Sequence, residues 1–192
     1  MAIRLIISDF DGTLVDTFEA NYRAYSDAFA AQGLELSREK YRECFGFRFD
    51  RFMDCMNVDD TSVRNTIREI KSERYPDHFD SLVVNIPLLD FIRAFKCSGG
   101  CTAIASTARR KNLLNALRYI GADNDFDFVL AGENVVHGKP NPEIYNKVLE
   151  MAACNPDEAI VFEDSAVGFE AARAAQIPFI AINKNFYNEH RG

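Results

Sequence analysis

Short apolar runs alternate with segments of helical period over the second half of the chain. Five such runs, each ending at turn or polar residues, are candidate strands: residues 3–8, 101–106, 126–131, 159–163 and 178–183. Between the later runs, Leu113 and Leu117 lie on one helical face before a stop at Gly121, and Asn141 and Pro142 mark the start of another helix. Strands that alternate with helices predict an α/β fold with a doubly wound parallel sheet.

Residues 17–85 break this alternation. They contain four segments of helical period, residues 19–33, 37–46, 48–56 and 61–79, and none of them has the alternation expected of a strand. An α-helical domain inserted between the first two strands explains this pattern. We therefore expect a core formed by residues 1–16 and 86–192 and an inserted helical domain formed by residues 17–85.

Composition narrows the function classes. The net charge of −7, without a block of lysine and arginine, argues against a nucleic-acid partner or an anionic membrane surface. No apolar run approaches the roughly 20 residues that cross a bilayer, and five cysteines without paired spacing do not predict a disulfide framework or a zinc site. A cytoplasmic protein, monomeric or weakly dimeric, is the expectation.

Acidic residues follow two of the predicted strands at the point where each strand ends. Asp9 and Asp11 come after the first run in "IISDFDGTLVD", and Glu163 and Asp164 end the fourth run in "FEDS". The carboxyl ends of parallel strands meet at one edge of a sheet, where ligands bind, so we expect these carboxylates to lie close together. Like charges about 4 Å apart repel by about 4 kcal/mol at an effective dielectric of 20, so the cluster requires a cation.

Groups that can bind a phosphate are expected at the same edge. Ser106 and the backbone N–H of Thr107 follow the second predicted strand, at the start of a helix. Gly12 allows a backbone N–H to approach closely, and Lys139 lies in the loop "HGKPNPE" before the helix that leads to the fourth strand. Gly168 allows the helix after Ser165 to pack near the sheet.

Four motifs, in order and at the expected spacing, carry a resemblance that covers essentially the whole chain: "DFDGTLVD", "IAST", "GKPNPEIY" and "FEDSAVG". The chain resembles haloacid dehalogenase-superfamily phosphohydrolases with a helical cap inserted after the first strand, the subfamily of phosphoglycolate phosphatase and beta-phosphoglucomutase. The resemblance implies a Rossmann-like core with strand order 5-4-1-2-3. It also implies a Mg²⁺-dependent phosphatase that hydrolyses a small phosphorylated metabolite through an aspartyl-phosphate.

The resemblance assigns roles to particular side chains. Asp9 would be the nucleophile, and Asp11 would protonate the leaving oxygen and then deprotonate the attacking water. Lys139 would act as a catalytic and phosphate-binding cation, together with the phosphate donors Gly12, Ser106 and Thr107. The Mg²⁺ ligands would be the Asp9 carboxylate, the Asp11 backbone carbonyl and Asp164, with Glu163 binding the ion directly or through an intervening hydrogen bond.

Other interpretations stay open at this point. "DFDG" could belong to a calcium loop, but Thr13 stands where the next acidic ligand would be. A phosphoryl transferase like beta-phosphoglucomutase is an alternative, although Asn21 replaces the histidine of that group's "DTAEYH"-like run. A catalytically idle binding or regulatory module is a third. In the inserted domain Arg48, within "FGFRFD", is the candidate for substrate contact, and His137 is expected to be a surface residue.

Overall fold

The computed structural model describes residues 2–183 and Tyr187. The described residues form two compact units, one drawn from Met1–Asp16 and Val83–Gly192 and the other from Thr17–Leu82. The second boundary lies at residue 82 rather than at the expected residue 85. The end of the predicted core domain, residues 184–186 and 188–192, lies outside the described residues.

The described chain contains strands and helices in the following order. The strands are β1 (Leu5–Ser8), β2 (Val15–Asp16), β3 (Val83–Val84), β4 (Cys101–Ala105), β5 (Phe128–Leu130), β6 (Ala159–Glu163) and β7 (Phe179–Ala181). The α-helices are α1 (Phe18–Ala30), α2 (Arg38–Cys44), α3 (Phe49–Cys55), α4 (Thr61–Arg74), α5 (Ile86–Cys97), α6 (Arg110–Tyr119), α7 (Glu143–Ala152) and α8 (Ala166–Ala174). Short 3₁₀ helices occupy Tyr75–Ser81, Gly132–Asn134 and Pro156–Glu158.

A five-stranded parallel sheet forms the centre of the first unit, in the order β5-β4-β1-β6-β7. When only these five strands are numbered along the chain and the sheet is followed from β7 to β5, the order is 5-4-1-2-3, as the resemblance implies. All four residues of the central strand β1 are buried, because parallel sheets carry helices on both faces. The predicted α/β fold is confirmed, although each strand except β6 is one to three residues shorter than its apolar run.

Two local predictions need correction. Residues 17–85 were expected to contain no strand, but Val83–Val84 pair antiparallel with Val15–Asp16 in a separate two-stranded sheet. Strands of two residues are too short to show alternation, and their pairing joins distant parts of the sequence. Helix α7 begins at Glu143, with Pro142 as its N-cap, one residue later than predicted. Asn141 nevertheless caps this helix, because its side-chain oxygen accepts a hydrogen bond from the Glu143 N–H at 3.0 Å.

The helical unit has its own hydrophobic core. Helices α1 to α4 surround a buried cluster that includes Phe29, Tyr41, Phe52, Met53 and Ile67. The rings of Tyr41 and Phe52 lie 5.6 Å apart, edge to face, which adds to the stabilisation from burial. A loop separates α2 from α3, and its Gly46 has a φ of +88°, a conformation that favours glycine.

No helix within residues 2–183 is both long enough and apolar enough to cross a membrane.

Asn85 ties the start of α5 to the segment that follows β1. Its side-chain oxygen caps α5 by accepting the Leu88 N–H at 3.2 Å, and its Nδ2 donates to the Thr13 carbonyl at 3.3 Å. The residue is 3% exposed. This position therefore combines a helix cap with a buried hydrogen bond.

We predict that Asn85→Ala lowers the free energy of unfolding by about 2 kcal/mol, since it removes a cap and a buried donor together. Urea denaturation measures this change. The control is Asn155→Ala, which removes an exposed hydrogen bond to Glu158 and should cost at most about 1 kcal/mol. Equal losses for the two variants would contradict the role given to Asn85.

Candidate active site

The site lies where β1 ends, between its two neighbouring strands. Ser8, the last residue of β1, is in register with Ile104 of β4 and with Phe162 of β6. The Asp9 N–H continues the ladder by donating to the Phe162 carbonyl at 2.9 Å. The residues that follow β1, β4 and β6 are therefore brought to one edge of the sheet, as the sequence predicts.

Lys139 joins two buried carboxylates. Its Nζ atom donates to Asp9 Oδ1 at 2.7 Å and to Glu163 Oε1 at 2.6 Å. The side chains are almost excluded from solvent, with exposed fractions of 3% for Lys139, 11% for Asp9 and 1% for Glu163. The centroid of the Tyr145 ring lies 5.1 Å from Lys139 Nζ, and the Tyr145 hydroxyl contacts Glu163 Oε1 at 3.4 Å.

Glu163 orders the residues that follow β6. Its Oε2 atom accepts the backbone N–H groups of Asp164 and Ser165, both at 2.8 Å, and the Ser165 hydroxyl at 3.0 Å. Ser165 in turn caps α8 by accepting the Gly168 N–H at 3.1 Å. A Cβ atom at Gly168 would lie 1.9 Å from the Glu163 carboxylate, so this close approach requires glycine. Both Glu163 oxygens are therefore held by protein donors.

Asp164 packs against the segment that follows β1. Thr13 Oγ1 donates to Asp164 Oδ1 at 3.2 Å. A Cβ atom on Gly12 would lie 2.5 Å from Asp164 Oδ2, and the φ of Gly12 is +92°, so glycine is needed here for both space and backbone conformation. The Gly12 N–H donates to the Val15 carbonyl at 2.8 Å, which closes a tight turn after Asp11.

The predicted phosphate donors follow β4. Ser106 is 1% exposed; its hydroxyl lies 3.4 Å from Asp11 Oδ2 and accepts the Ala108 N–H at 3.0 Å. Thr107 is half-buried, and a Cβ atom on Gly132 would lie 2.6 Å from its carbonyl oxygen. The segment after β5 thus supports the loop from Ser106 to Ala108 through close backbone packing.

Burial dominates the electrostatics of the cluster. Burial raises the pKa of Asp9 well above its usual range; Lys139 opposes this shift, and the charges of Glu163 and Asp164 add to it. Burial and Lys139 act in opposite directions on Glu163, and Lys139 with the Ser165 donors brings its pKa below the ordinary value. Burial alone would lower the pKa of Lys139, but the carboxylates and Tyr145 raise it well above the usual value. The lysine is therefore charged at neutral pH.

Asp9, Glu163 and Asp164 form a group that could hold a metal ion. One carboxylate oxygen from each lies within 4.8 Å of the other two. Three carboxylates against the single ammonium of Lys139 leave an excess of negative charge in a buried place, which a divalent cation would balance. Oxygen ligands of this kind suit a hard cation.

Two further residues were named as candidates from the sequence. Arg48 belongs to the other unit, where it is the exposed N-cap of α3. His137 is exposed, and its N–H donates to Glu143 at 2.8 Å. Thr13 and Tyr145 contact the cluster but were not predicted as site residues. Tyr145 is the last residue of the motif "GKPNPEIY" that also contains Lys139, and this shared motif is the signal that could have pointed to its contact with the cluster.

Comparisons with known proteins identify the family of this chain. The family model described as "Haloacid dehalogenase-like hydrolase" matches residues 6–182. The protein CbbY of Rhodobacter capsulatus is 31% identical over 188 residues, covering 91% of this chain and 83% of that protein. A phosphorylated carbohydrates phosphatase of Thermotoga maritima is 29% identical, covering 90% of this chain and 81% of that protein.

Among solved structures, CbbY from Rhodobacter sphaeroides in complex with phosphate superposes with a TM-score of 0.86 at 30% identity, covering 99% of this chain and 90% of that one. The family match spans both the sheet and the inserted helices and includes every residue of the acidic cluster. The chain therefore belongs to the haloacid dehalogenase-like hydrolase family.

Proposed function

We propose that this protein is a Mg²⁺-dependent phosphatase that hydrolyses small phosphorylated sugars through a phosphoryl group carried on Asp9. The observation that carries the proposal is the buried pairing of Asp9 with Lys139 at 2.7 Å, beside Glu163 and Asp164. A carboxylate with an adjacent cation, at the carboxyl ends of parallel strands, suits nucleophilic attack on an anionic phosphate. The phosphatases among the relatives support the reaction class.

The first step is a displacement at phosphorus. An Asp9 carboxylate oxygen forms a bond to phosphorus, and the bond between phosphorus and the leaving oxygen breaks. Asp11 donates a proton to that oxygen, so the product leaves as a neutral alcohol. The hydroxyl of Ser106 and the N–H of Thr107 hold the phosphoryl oxygens, and the turn at Gly12 keeps the backbone close to them.

The second step releases phosphate. Asp11, now a carboxylate, takes a proton from a water molecule while the water oxygen attacks phosphorus, and the bond to Asp9 breaks. Two moderate barriers thus replace one high barrier. Lys139 holds the Asp9 carboxylate in place through both displacements, and its charge offsets that of the incoming phosphate.

Asp9, Asp164 and the Asp11 carbonyl would hold Mg²⁺, which when bound would neutralise charge on the phosphoryl group. Both oxygens of Glu163 already accept hydrogen bonds from protein groups. We therefore assign Glu163 the role of orienting Lys139 and the Asp164 backbone rather than that of the main ligand. Of the two roles that the sequence leaves open for Glu163, this proposal favours the indirect one.

The substrate class is part of the proposal. One relative is described as a phosphorylated carbohydrates phosphatase, and another as a fructose-1-phosphate phosphatase from Escherichia coli. Asn21 stands where the mutase pattern has histidine, and its amide donates to the Thr17 carbonyl at 3.1 Å. An amide does not transfer protons near neutral pH, which favours hydrolysis over isomerisation. A cytoplasmic location and a monomeric or weakly dimeric state remain predictions.

We predict that purified protein with Mg²⁺ releases phosphate from a panel of sugar phosphates and that EDTA abolishes this turnover. The buried cluster has more carboxylates than lysines, so without a divalent cation it repels phosphate. Phosphate release and sugar isomerisation are measured side by side for each compound. Full turnover after chelation would contradict the metal assignment, and isomerisation without phosphate release would support a phosphoryl transferase instead.

Replacing Asp9 and replacing Asp11 should have different effects on the reaction. Asp9→Asn removes the nucleophile and should abolish formation of the phosphorylated protein. Asp11→Asn removes proton transfer, typically worth about 10²–10⁴-fold, so slow phosphorylation by an activated ester such as para-nitrophenyl phosphate should survive. Mass spectrometry of acid-quenched protein detects the added phosphoryl group. Near wild-type turnover of Asp9→Asn would refute the nucleophile assignment.

Arg48 tests how the helical unit contributes to specificity. On the proposal that it touches the leaving group of the substrate, Arg48→Ala should lower kcat/KM for the preferred sugar phosphate by about tenfold or more, through lost positioning. Hydrolysis of para-nitrophenyl phosphate should change much less, because its leaving group needs little assistance. The control is Arg51→Ala, which removes a neighbouring guanidinium that packs 3.8 Å above the Phe47 ring. If Arg48→Ala leaves kcat/KM unchanged on both substrates, Arg48 is a solvated charge that does not contribute to specificity.

A further inference from the structure

We infer that Glu143 is a positioning residue for Lys139, because its carboxylate closes the loop that carries the lysine. The effect on turnover rests on the proposed function of Lys139. The loop closure itself rests on contacts around the first residue of α7. The four motifs of the sequence did not assign any role to Glu143.

The carboxylate of Glu143 accepts two backbone N–H groups from the loop. Its Oε1 atom accepts the Val136 N–H at 3.0 Å, and its Oε2 atom accepts the His137 N–H at 2.8 Å. The Val136 side chain has little packing to hold it, since the residue is 75% exposed, and His137 is exposed as well. Fixing an exposed loop opposes conformational entropy of about 1–2 kcal/mol per residue, and these charge-assisted hydrogen bonds offset part of that cost.

The carboxylate is itself held by a lysine of its own helix. Lys147, one turn further along α7, donates to Glu143 Oε1 at 2.9 Å and to the Asn134 carbonyl at 2.6 Å. Asn134 in turn accepts the Ala131 N–H at 2.8 Å through its side chain. The hydrogen bond from Lys147, followed by those from the loop, lowers the pKa of Glu143 to about 2, so the group is ionised at neutral pH.

The far end of the loop is closed as well. The Asn141 N–H donates to the Gly138 carbonyl at 3.1 Å, and the Asn141 side chain accepts the Glu143 N–H at 3.0 Å. Glu143 thus contacts both ends of the segment 136–143, and Lys139 lies within this closed loop. Its ammonium must meet Asp9 at 2.7 Å, and a displacement of about 1 Å at such a group can cost about 100-fold in rate.

A purely structural role is the rival explanation. An acidic residue in the first turn of a helix, paired with a lysine four residues later, stabilises the helix without touching any site. The two roles differ in what they predict for Lys139. A positioning residue loses its effect on phosphate chemistry when the lysine is absent, whereas a stabilising residue does not.

The test uses Glu143→Gln in the full chain with Mg²⁺. Glutamine keeps the size of the side chain but has a single acceptor oxygen, so one loop N–H loses its partner. We expect amide exchange at Val136 and His137 to become faster and kcat/KM for para-nitrophenyl phosphate to fall by about 10- to 100-fold. The matched control is Glu158→Gln, at another half-buried carboxylate that accepts a backbone N–H, from Asn155 at 2.9 Å, and this variant should lower kcat/KM less than about threefold.

A double-mutant cycle with Lys139→Met then separates the two roles. If Glu143 acts through Lys139, adding Glu143→Gln to Lys139→Met should lower kcat/KM by less than about twofold further. If the losses in kcat/KM from the two substitutions multiply in the double variant, the inference is overturned. Unchanged amide exchange at Val136 and His137 in Glu143→Gln alone would also overturn it. If Lys139→Met does not fold, Lys139→Gln replaces it in the cycle.

A binding measurement keeps this inference separate from the proposed function. Titration calorimetry of inorganic phosphate into the Mg²⁺-loaded protein should show about tenfold weaker binding for Glu143→Gln, and no such difference when Lys139→Met is present. Absence of hydrolysis on every phosphate ester would refute the proposed function. The phosphate affinities would still decide the role of Glu143. Equal phosphate affinity of Glu143→Gln and the parent would overturn the inference.

Discussion

The pairing of one buried ammonium with two buried carboxylates is the constraint on which the rest of the core depends. Lys139 lies between Asp9 and Glu163 with almost no exposure to water. Burying charges is costly unless each finds a partner at hydrogen-bond distance, and removing one partner leaves an uncompensated charge behind. The structure therefore has to bring three distant parts of the chain together within a few tenths of an ångström.

The sheet provides that accuracy. Strand β1 is paired on both sides along its whole length, so Asp9 starts from a rigid position. Strand β6 delivers Glu163 and Asp164 in the same way, and Gly168 lets the following helix approach the carboxylate. Lys139 comes instead from a loop, which has no strand partners to fix it. Its position depends on local hydrogen bonds at the start of α7, and this difference explains why the loop needs restraints that the strands do not.

The same arrangement connects stability with chemistry. The cluster by itself holds more negative charge than positive, a state that burial penalises. Such an excess has no packing purpose, but it suits a site that receives a divalent cation together with a phosphate. The glycines at positions 12, 132 and 168 serve this site by allowing close approach, at places where a Cβ atom would collide with Asp164, with the Thr107 carbonyl or with Glu163.

The sequence by itself predicted the class of fold and the residues of the candidate site, and the resemblance carried by its motifs implied the order of the core strands. Apolar runs followed by polar residues locate buried strands and their carboxyl ends. The motifs place Asp9, Asp11, Ser106, Glu163 and Asp164 at those ends, and Lys139 in a loop before a helix. These features are local, so they can be read along the chain. The family match also bears out the resemblance that the motifs carry.

Only the tertiary structure decided how the groups pair. The β2–β3 sheet joins residues nearly seventy positions apart with two residues on each side, which no periodicity reveals. The contact of Tyr145 with Glu163 joins residues 18 positions apart, and Glu143 closes the Lys139 loop by turning its carboxylate back to two backbone N–H groups. In sequence these two residues have the ordinary features of a helix, an apolar face and an acidic first turn. Their partners are set by distances in space, which the order of residues along the chain does not contain.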